Sequence, residues 1–110
     1  MTTIIGQTAK GFGTAAYQYI RTTDKLPSCD EARDQDDPLC KVKLFDPTGS
    51  WTWFIAGYDP DTGIAWGVVH GFEVEAGSFD MAELVTIRGT FGLPLERDLH
   101  WEPRPMSEVM

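Results

Sequence analysis

The stretch that decides the fold is KVKLFDPTGSWTWFI, residues 41–55. Polar and apolar residues alternate over residues 41–44, as expected of a β-strand, in which successive side chains point to opposite faces. Residues 51–55 are a short run of aromatic and β-branched residues, which is also typical of a strand. Between the two runs, Pro47 presets a backbone angle for a turn and Gly49 tolerates a positive φ. The stretch therefore predicts two antiparallel strands joined by a tight turn.

The second of these strands is apolar on both of its faces. Its odd-numbered positions hold Trp51, Trp53 and Ile55. The even-numbered positions hold Thr52, Phe54 and Ala56. A strand of this kind is typical of the centre of a sheet that is covered on both sides. We therefore interpret the tryptophans as core residues and not as an exposed stacking surface.

The same pattern continues towards the C-terminus. A second turn, DPDTG at residues 59–63, leads into a strand over residues 64–69, and residues 72–75 alternate as an extension or a fourth strand. Residues 96–101 predict a final edge strand, after which Pro103 and Pro105 are expected to end regular structure. Short turns between neighbouring strands predict an antiparallel meander.

Two segments have helical character. Apolar residues recur at helical spacing over residues 12–22, which predicts a short amphipathic helix or an arm that orders on a partner. Residues 78–89 predict a second helix, because Asp80 and Glu83 resemble a capping box and Gly89 is a typical C-terminal stop. We expect an arm or short helix at residues 1–25 and one domain over residues 26–110. The predicted class is α+β: an antiparallel sheet of three to five strands with one or two short helices packed on it.

The charge balance excludes several functions. The 110 residues carry 17 acidic and 9 basic side chains, a net charge of −8. This balance argues against general nucleic-acid binding and against an anionic membrane surface, since both need clustered Lys and Arg. There is no apolar run long enough for a membrane helix, and residues 1–7 lack the features of a signal peptide. We therefore expect a cytoplasmic protein.

The acidic charge is concentrated in one connection, DKLPSCDEARDQDDP at residues 24–38. It is either a solvated loop or a docking site for a basic surface, and it lacks the spacing of a calcium loop. Cys29 and Cys40 lie in the same region; reduced thiols are the simpler interpretation and a disulfide is the alternative. The candidate partner-binding carboxylates are Asp30, Glu31, Asp34, Asp36 and Asp37.

The string Glu96-Arg97-Asp98 is the second candidate site. Arg97 would either anchor an anion or a partner in a pocket, or belong to an ion-pair arrangement that locks the C-terminal segment to Arg88 or Lys43. We count Arg97 and Asp98 among the candidate partner-binding residues.

Catalytic motifs are weak. No serine lies in a GxSxG motif, and pairing Cys29 or Cys40 with His100 has no further support. Asp59, Asp61, His70 and Asp98 could converge as a hard-cation site, which makes a small metal-dependent hydrolase or nuclease the alternative function. The residues Asp59 to Gly63 are nevertheless more typical of a turn. We expect no metal and no cofactor.

Residues 37–109 resemble an uncharacterised bacterial family, domain of unknown function 2958. The resemblance is carried by the strings VKLF, WTWF and GVVHGFE, by AEL and IRG, and by FGLPLERDLHWEP and PMSEV, which begin at residues 42, 51, 67, 82, 87, 91 and 105. Members of the family occur in plasmids, integrative elements and phage-related gene neighbourhoods. The resemblance implies a mobile-element context and no assigned chemistry.

These observations lead to one expected function. The chain is predicted to be a non-enzymatic, protein-binding accessory factor of mobile genetic elements. A sharper form is an acidic anti-defence inhibitor, of the anti-CRISPR or anti-restriction type, that binds the basic groove of a nucleic-acid-binding host complex. The expected partner is thus a protein, with no direct contact to nucleic acid or membrane. A single-strand binder acting through its tryptophans is a further alternative.

Overall fold

The computed structural model describes residues 8–10 and 16–110, and the strands at Thr8–Lys10 (β1) and Ala16–Gln18 (β2) are described by their backbone only. A 3-10 turn at Thr22–Asp24 follows them. The remaining elements are α1 Cys29–Arg33, β3 Leu39–Cys40, β4 Val42–Phe45, β5 Thr52–Asp59, β6 Ile64–His70, β7 Val74–Asp80, α2 Met81–Leu84, a 3-10 turn Thr90–Gly92, β8 Glu96–Arg97, β9 Arg104–Pro105 and α3 Met106–Val109.

Five strands form the main sheet, in the order β7-β6-β5-β4-β8, and every neighbouring pair is antiparallel. Strands β4 to β7 follow one another in both sequence and space, so the predicted meander is confirmed. Two small two-stranded sheets, β1 with β2 and β3 with β9, accompany it. With its short helices the fold is α+β, as predicted.

Strand β5 is the centre of the sheet and is covered on both faces, as its sequence predicted. On one face, Trp53 and Ile55 belong to an apolar cluster that includes Leu44, Met81 and Leu95. On the other face, Phe54 and Ala56 pack in a second cluster with Ala32, Val68 and Val109. One sheet therefore separates two cores.

A β-bulge in β5 changes which residues face each core. The pairing with β6 runs in register to Ile55↔Gly67 and resumes at Gly57↔Trp66, so Ala56 is the extra residue. A bulge of one residue shifts the alternation of side chains by one position. Tyr58 consequently joins the cluster of Trp53 and Ile55, although it has the opposite parity in the sequence.

The acidic connection contains a helix that the sequence analysis did not predict. Ser28 caps α1, since its hydroxyl accepts a hydrogen bond from the Glu31 N–H at 3.1 Å, and the Glu31 carboxylate accepts one from the Ser28 N–H at 3.0 Å. Helix α1 packs closely against β5 at Gly57, where a Cβ would stand 2.9 Å from that of Ala32. A side chain at residue 57 would push the helix away.

The predicted helix over residues 12–22 is wrong where the structure describes it, and residues 11–15 lie outside the described residues. Residues Ala16–Gln18 form β2 and pair with β1. Tyr19 and Ile20, which are adjacent in the chain, are both buried in the core of the main domain. The pairing of β2 with β1 therefore overrode the helical spacing of the apolar residues.

The second predicted helix is shorter than expected. Ser78 and Phe79 belong to β7, because the pairing with β6 continues to Asp80. Asp80 does cap a helix, since its Oδ1 accepts a hydrogen bond from the Ala82 N–H at 2.9 Å, but α2 ends at Leu84. Gly89 is not its stop; it lies against the β4–β5 turn, where a Cβ would meet Thr48 Oγ1 at 2.3 Å.

The edge strand near residue 96 is confirmed in part, because only Glu96–Arg97 pair with β4. The expectation that Pro103 and Pro105 end regular structure is wrong. Arg104–Pro105 pair with Leu39–Cys40, and α3 begins directly afterwards. Proline is tolerated here because β9 is two residues long and a helix start needs no N–H from the residue before it.

Two glycines that face each other in the sheet should respond in opposite ways to alanine. Gly67 pairs with Gly77, but a Cβ at Gly67 would lie 1.8 Å from the Phe54 carbonyl oxygen, whereas a Cβ at Gly77 meets nothing within 4 Å. We expect Gly67→Ala to lower the free energy of unfolding by more than about 3 kcal/mol, through overlap in the central strand pair. Gly77→Ala should raise it by about 0.5 kcal/mol, because alanine restricts the unfolded chain.

Urea unfolding followed by tryptophan fluorescence measures both free energies. Equal effects of the two substitutions would contradict the close approach of β5 and β6 at Gly67.

Candidate partner-binding site

The acidic segment, residues 28–37, is held at both ends. At its start, Ser28 and Glu31 form the reciprocal cap of α1. At its end, the Asp37 carboxylate accepts hydrogen bonds from the Ser107 N–H at 3.0 Å and the Ser107 hydroxyl at 2.6 Å. Between these anchors, Cys29 and Ala32 are buried against the sheet. The first half of the segment is therefore a helix packed on the sheet, whereas residues 34–37 form an exposed, non-helical turn that Ser107 holds at its end.

The five candidate carboxylates of this segment are all exposed, but they have different partners. Asp30 pairs with Arg33 one helical turn later. Glu31 and Asp37 accept hydrogen bonds from Ser28 and Ser107, and these bonds lower the pKa of each carboxyl. Within the described residues, Asp34 and Asp36 have no side-chain partner, so they are the carboxylates most available to a binding protein.

Arg97 lies in a bidentate ion pair with Asp24. Its Nη1 and Nη2 donate hydrogen bonds to the two carboxylate oxygens at 2.7 and 2.6 Å, and Nη1 also donates to the Tyr19 carbonyl at 2.8 Å. The two side chains are only 12% and 11% exposed. Arg97 thus ties the segment that precedes α1 to the sheet edge, and this burial leaves it little surface to offer a partner.

The pKa of the Asp24 carboxyl reflects two opposing effects. Burial raises it, but the hydrogen bond and charge of Arg97, together with the hydrogen bond from the Arg21 N–H, lower it more. The net result is a pKa below the ordinary 3.8. Asp24 therefore stays ionised and paired at neutral pH.

Asp98 takes part in the ion pairing that the sequence suggested. Its carboxylate lies 3.5 Å from Lys43 Nζ, and its N–H donates a hydrogen bond to the Lys43 carbonyl at 3.0 Å. Arg97 and Asp98 lie beside β4, whereas the acidic segment packs against β5 and β6. The structure does not bring the two groups of candidate residues together into one cluster.

The residues of the alternative metal site do not form a cluster. Asp59 pairs with Ile64 at one end of the β5–β6 hairpin, and His70 lies at the other end, about 20 Å away at 3.3 Å per residue. Each is bonded locally, Asp59 to the Cys29 N–H and His70 to the Val109 carbonyl. Among the described residues, no group of three His, Cys, Asp or Glu side chains could hold a metal ion.

Both cysteines are free and buried, which confirms the expectation of reduced thiols. Burial raises the pKa of the Cys29 thiol to about 11, with a further contribution from Asp59, and burial raises that of Cys40 to about 11 as well. Because the thiolate is the nucleophile, neither cysteine is suited to nucleophilic catalysis at neutral pH.

One surface feature was missed by sequence reasoning. Phe72, in the turn between β6 and β7, is 95% exposed and meets the Trp51 ring edge to face, with 5.3 Å between the ring centroids. Trp53, in contrast, is buried, and the Trp101 indole N–H donates to the Cys40 carbonyl at 2.8 Å. The available signal was an aromatic residue placed between Gly71 and Glu73, where a turn normally carries polar residues.

The structure contains no helix, over the residues described, that is long and apolar enough to cross a membrane.

The chain matches a known family. The model of a family described as a protein of unknown function, DUF2958, matches residues 17–110. The match begins twenty residues before the resemblance in the sequence and includes α1 and the whole five-stranded sheet. No curated protein and no solved structure matches this chain at a significant level.

Removing the guanidinium of Arg97 should destabilise the fold. We expect Arg97→Met to lower the free energy of unfolding by about 2–3 kcal/mol, since it leaves a largely buried carboxylate unpaired. The matched control is Lys43→Met, which removes a more exposed ion pair while keeping the apolar stem, and should cost less than about 1 kcal/mol. Urea unfolding at pH 7 compares the two; equal losses would argue against a structural role specific to Arg97.

The ion pair between Asp24 and Arg97 should also make the stability of the fold depend on pH, and the direction of that dependence follows from the lowered pKa of Asp24. The folded-state pKa of Asp24 is lowered, so its contribution is complete above the unfolded-state pKa of about 3.9 and is lost as the pH falls through the folded-state value. We expect the difference in stability between wild type and Arg97→Met to be largest near pH 7 and to shrink below about pH 4. Urea midpoints between pH 2 and 7 test this, and a constant difference would contradict it.

Proposed function

We propose that this chain, which belongs to the DUF2958 family, is a non-enzymatic factor that binds a basic protein partner through its acidic segment. The observation that carries the proposal is the folded, doubly anchored form of residues 28–37. An acidic run that only kept the protein in solution would need no cap at Ser28 and no bond between Asp37 and Ser107. Here both bonds hold the carboxylates on one short stretch of surface.

Preorganisation of the segment favours binding. Ordering a flexible side chain at an interface costs about 0.5–1.5 kcal/mol, and a loop adds the cost of its backbone. In residues 28–37, most of the backbone ordering is already achieved by α1 and by the bond to Ser107. A partner therefore has to order only the side chains of Asp34 and Asp36.

The charge of the chain favours a basic partner. With a net charge of −8, the protein attracts a positively charged surface over a distance of about one Debye length, near 8 Å at physiological salt. Complementary charge raises the association rate and selects against acidic competitors. Binding should consequently weaken as the salt concentration rises.

A non-enzymatic role is supported by the state of the candidate catalytic groups. The cysteine thiols are buried with raised pKa values, and Asp59, His70 and Asp98 are separated and locally bonded. Cys29 does lie beside Asp59, but burial and the Asp59 carboxylate raise the pKa of its thiol to about 11, so the pair is not an activated nucleophile with its base.

The finer form of the proposal is an anti-defence inhibitor in a mobile-element setting. In that role, the carboxylates of the acidic segment would occupy sites where a host nuclease complex binds phosphate groups. The support for this form is the negative charge of the segment and the mobile-element context that the family resemblance implies.

Neutralising the free carboxylates should weaken partner binding. The test variant is Asp34→Asn with Asp36→Asn, and the matched control is Glu96→Gln with Glu102→Gln. Both double variants change the net charge from −8 to −6. We expect affinity for the partner to fall about tenfold in the test variant and little in the control.

The measurement begins with affinity capture from a bacterial host lysate, read by mass spectrometry at low and high salt, and continues with titration of the purified partner. Because Asp34 and Asp36 have no side-chain partner in the described structure, the urea midpoint should be unchanged. If the two double variants weakened partner binding equally, the effect would come from the net charge alone. That result would contradict a binding site at the acidic segment.

A further inference from the structure

Strand β7 forms an edge of the main sheet with regular, bulge-free geometry. It pairs with β6 through seven consecutive residues, from Ile64↔Asp80 to His70↔Val74, without a bulge. On its other side, no strand of the described chain pairs with it. In an antiparallel pair, alternate residues direct their N–H and C=O groups away from the neighbouring strand. Strand β7 therefore presents an unpaired row of donors and acceptors.

Natural proteins usually protect such an edge with charged side chains, above all lysine, or with proline, a bulge or a covering element. Strand β7, VEAGSFD at residues 74–80, contains neither lysine nor proline, and its only charged side chains are the carboxylates of Glu75 and Asp80, which would repel an acidic strand and attract a basic one. Gly77, at its centre, has open space where a Cβ would stand. By comparison, β8 at the opposite edge is only two residues long. Within the described residues, the β8 edge is short and the β7 edge is seven residues long with no strand paired to its outer side.

An aromatic depression lies beside the start of β7. It has a volume of about 280 Å³ and is lined by Trp51, Val69, Gly71, Phe72, Glu73 and Glu75. The absence of a side chain at Gly71 allows Trp51 to lie against the turn, since a Cβ there would stand 2.5 Å from the indole ring. Phe72 remains 95% exposed and Val74 46% exposed. An apolar surface that the chain does not cover is typical of an interaction site.

The part of the sequence that contains β7 carries charges of one sign. Between residues 44 and 87 there is no lysine or arginine, and there are seven acidic residues: Asp46, Asp59, Asp61, Glu73, Glu75, Asp80 and Glu83. Three of the seven, Glu73, Glu75 and Asp80, lie on β7 or directly before it. An added strand would thus meet negative charge at both ends of β7.

We propose that the outer edge of β7 binds an extended, basic segment of a partner protein, which adds to the sheet as a sixth strand. A Lys or Arg of that segment enters the depression, with its stem against Trp51 and Phe72 and its charge near Glu73 and Glu75. Backbone pairing supplies affinity, and the depression supplies specificity. Aromatic faces and carboxylates together are the surroundings that a cationic side chain prefers.

A second copy of this chain fits the edge less well. Pairing β7 with itself would bring two regions together that each carry seven acidic residues and no basic one. Like charges that face each other across strands are destabilising. This inference concerns a different surface from the acidic segment and goes beyond the proposed function, so either can fail while the other holds.

The experiment uses the full chain labelled with ¹⁵N and three ten-residue peptides as probes. The first alternates Arg and Thr, the second alternates Arg and Gly, and the third alternates Glu and Thr. We expect the Arg-Thr peptide to shift the amide signals of β7 and the indole signal of Trp51. The Arg-Gly peptide should bind more weakly because it has low strand propensity, and the Glu-Thr peptide should cause no shift. No shift with the Arg-Thr peptide up to about 1 mM would overturn the proposal.

Two variants locate the site. Phe72→Ala and the double variant Glu73→Gln with Glu75→Gln should each weaken the Arg-Thr peptide about tenfold. The controls are Leu99→Ala, which removes another exposed apolar side chain, and Glu96→Gln with Glu102→Gln; both should retain binding.

Three further outcomes would overturn the proposal. The first is equal weakening in the variants and their controls. The second is a set of shifts confined to residues 28–37, which would assign basic-peptide binding to the acidic segment alone. The third is a dimer in analytical ultracentrifugation whose β7 amides are protected from exchange without peptide, which would assign the edge to a second copy.

Discussion

The burial of β5 on both faces is the constraint on which the rest of the structure depends. A strand whose two faces are apolar has to be covered twice, and the chain provides a separate cover for each side. Met81, Leu84 and Leu95 cover the face of Trp53 and Ile55, while Ala32 of α1 and Val109 of α3 cover that of Phe54 and Ala56. The bulge at Ala56 lets Tyr58 contribute to the first core as well. Short helices suffice because each only has to close part of one face.

The local pattern of the sequence was sufficient to predict the central strands of the sheet. It was insufficient to predict the helices packed on the sheet and the N-terminal strands. Alternation and turn residues predicted β4, β5 and β6, because these strands pair with their neighbours in sequence and carry their own period. Helix α1 was missed although Ser28 and Glu31 have the spacing of a capping box, since the surrounding acidic residues suggested a loop. The helix predicted from residue 78 begins later because pairing with β6 extends β7 to Asp80. In the N-terminal segment, strand pairing overrode helical spacing.

The features of the candidate site also fall into two groups: those that the sequence predicts and those that only the structure shows. The exposure of Asp34 and Asp36 follows from composition, since runs of carboxylates are rarely buried. The partner of Arg97 does not follow from any local pattern, because Asp24 is 73 residues away in the chain. The exposure of Phe72 is equally hidden, as hydrophobicity alone assigns a phenylalanine to the core. Features of this kind depend on which elements meet in the folded chain, and only the structure supplies that information.

The geometry of the sheet fixes where the acidic segment lies relative to the β7 edge. Helix α1 packs at the end of the sheet where Asp59 pairs with Ile64, since Cys29 contacts both residues. Ile64 in turn pairs with Asp80, the last residue of β7. The aromatic depression lies at the opposite end of β7, about 20 Å away at 3.3 Å per residue. The depression and α1 also lie on opposite faces of the sheet, since Trp51 and Val69 pack against the cluster of Trp53, whereas Ala32 of α1 packs with Phe54. The two surfaces are therefore separate, and a strand added along β7 would contact the depression without contacting α1.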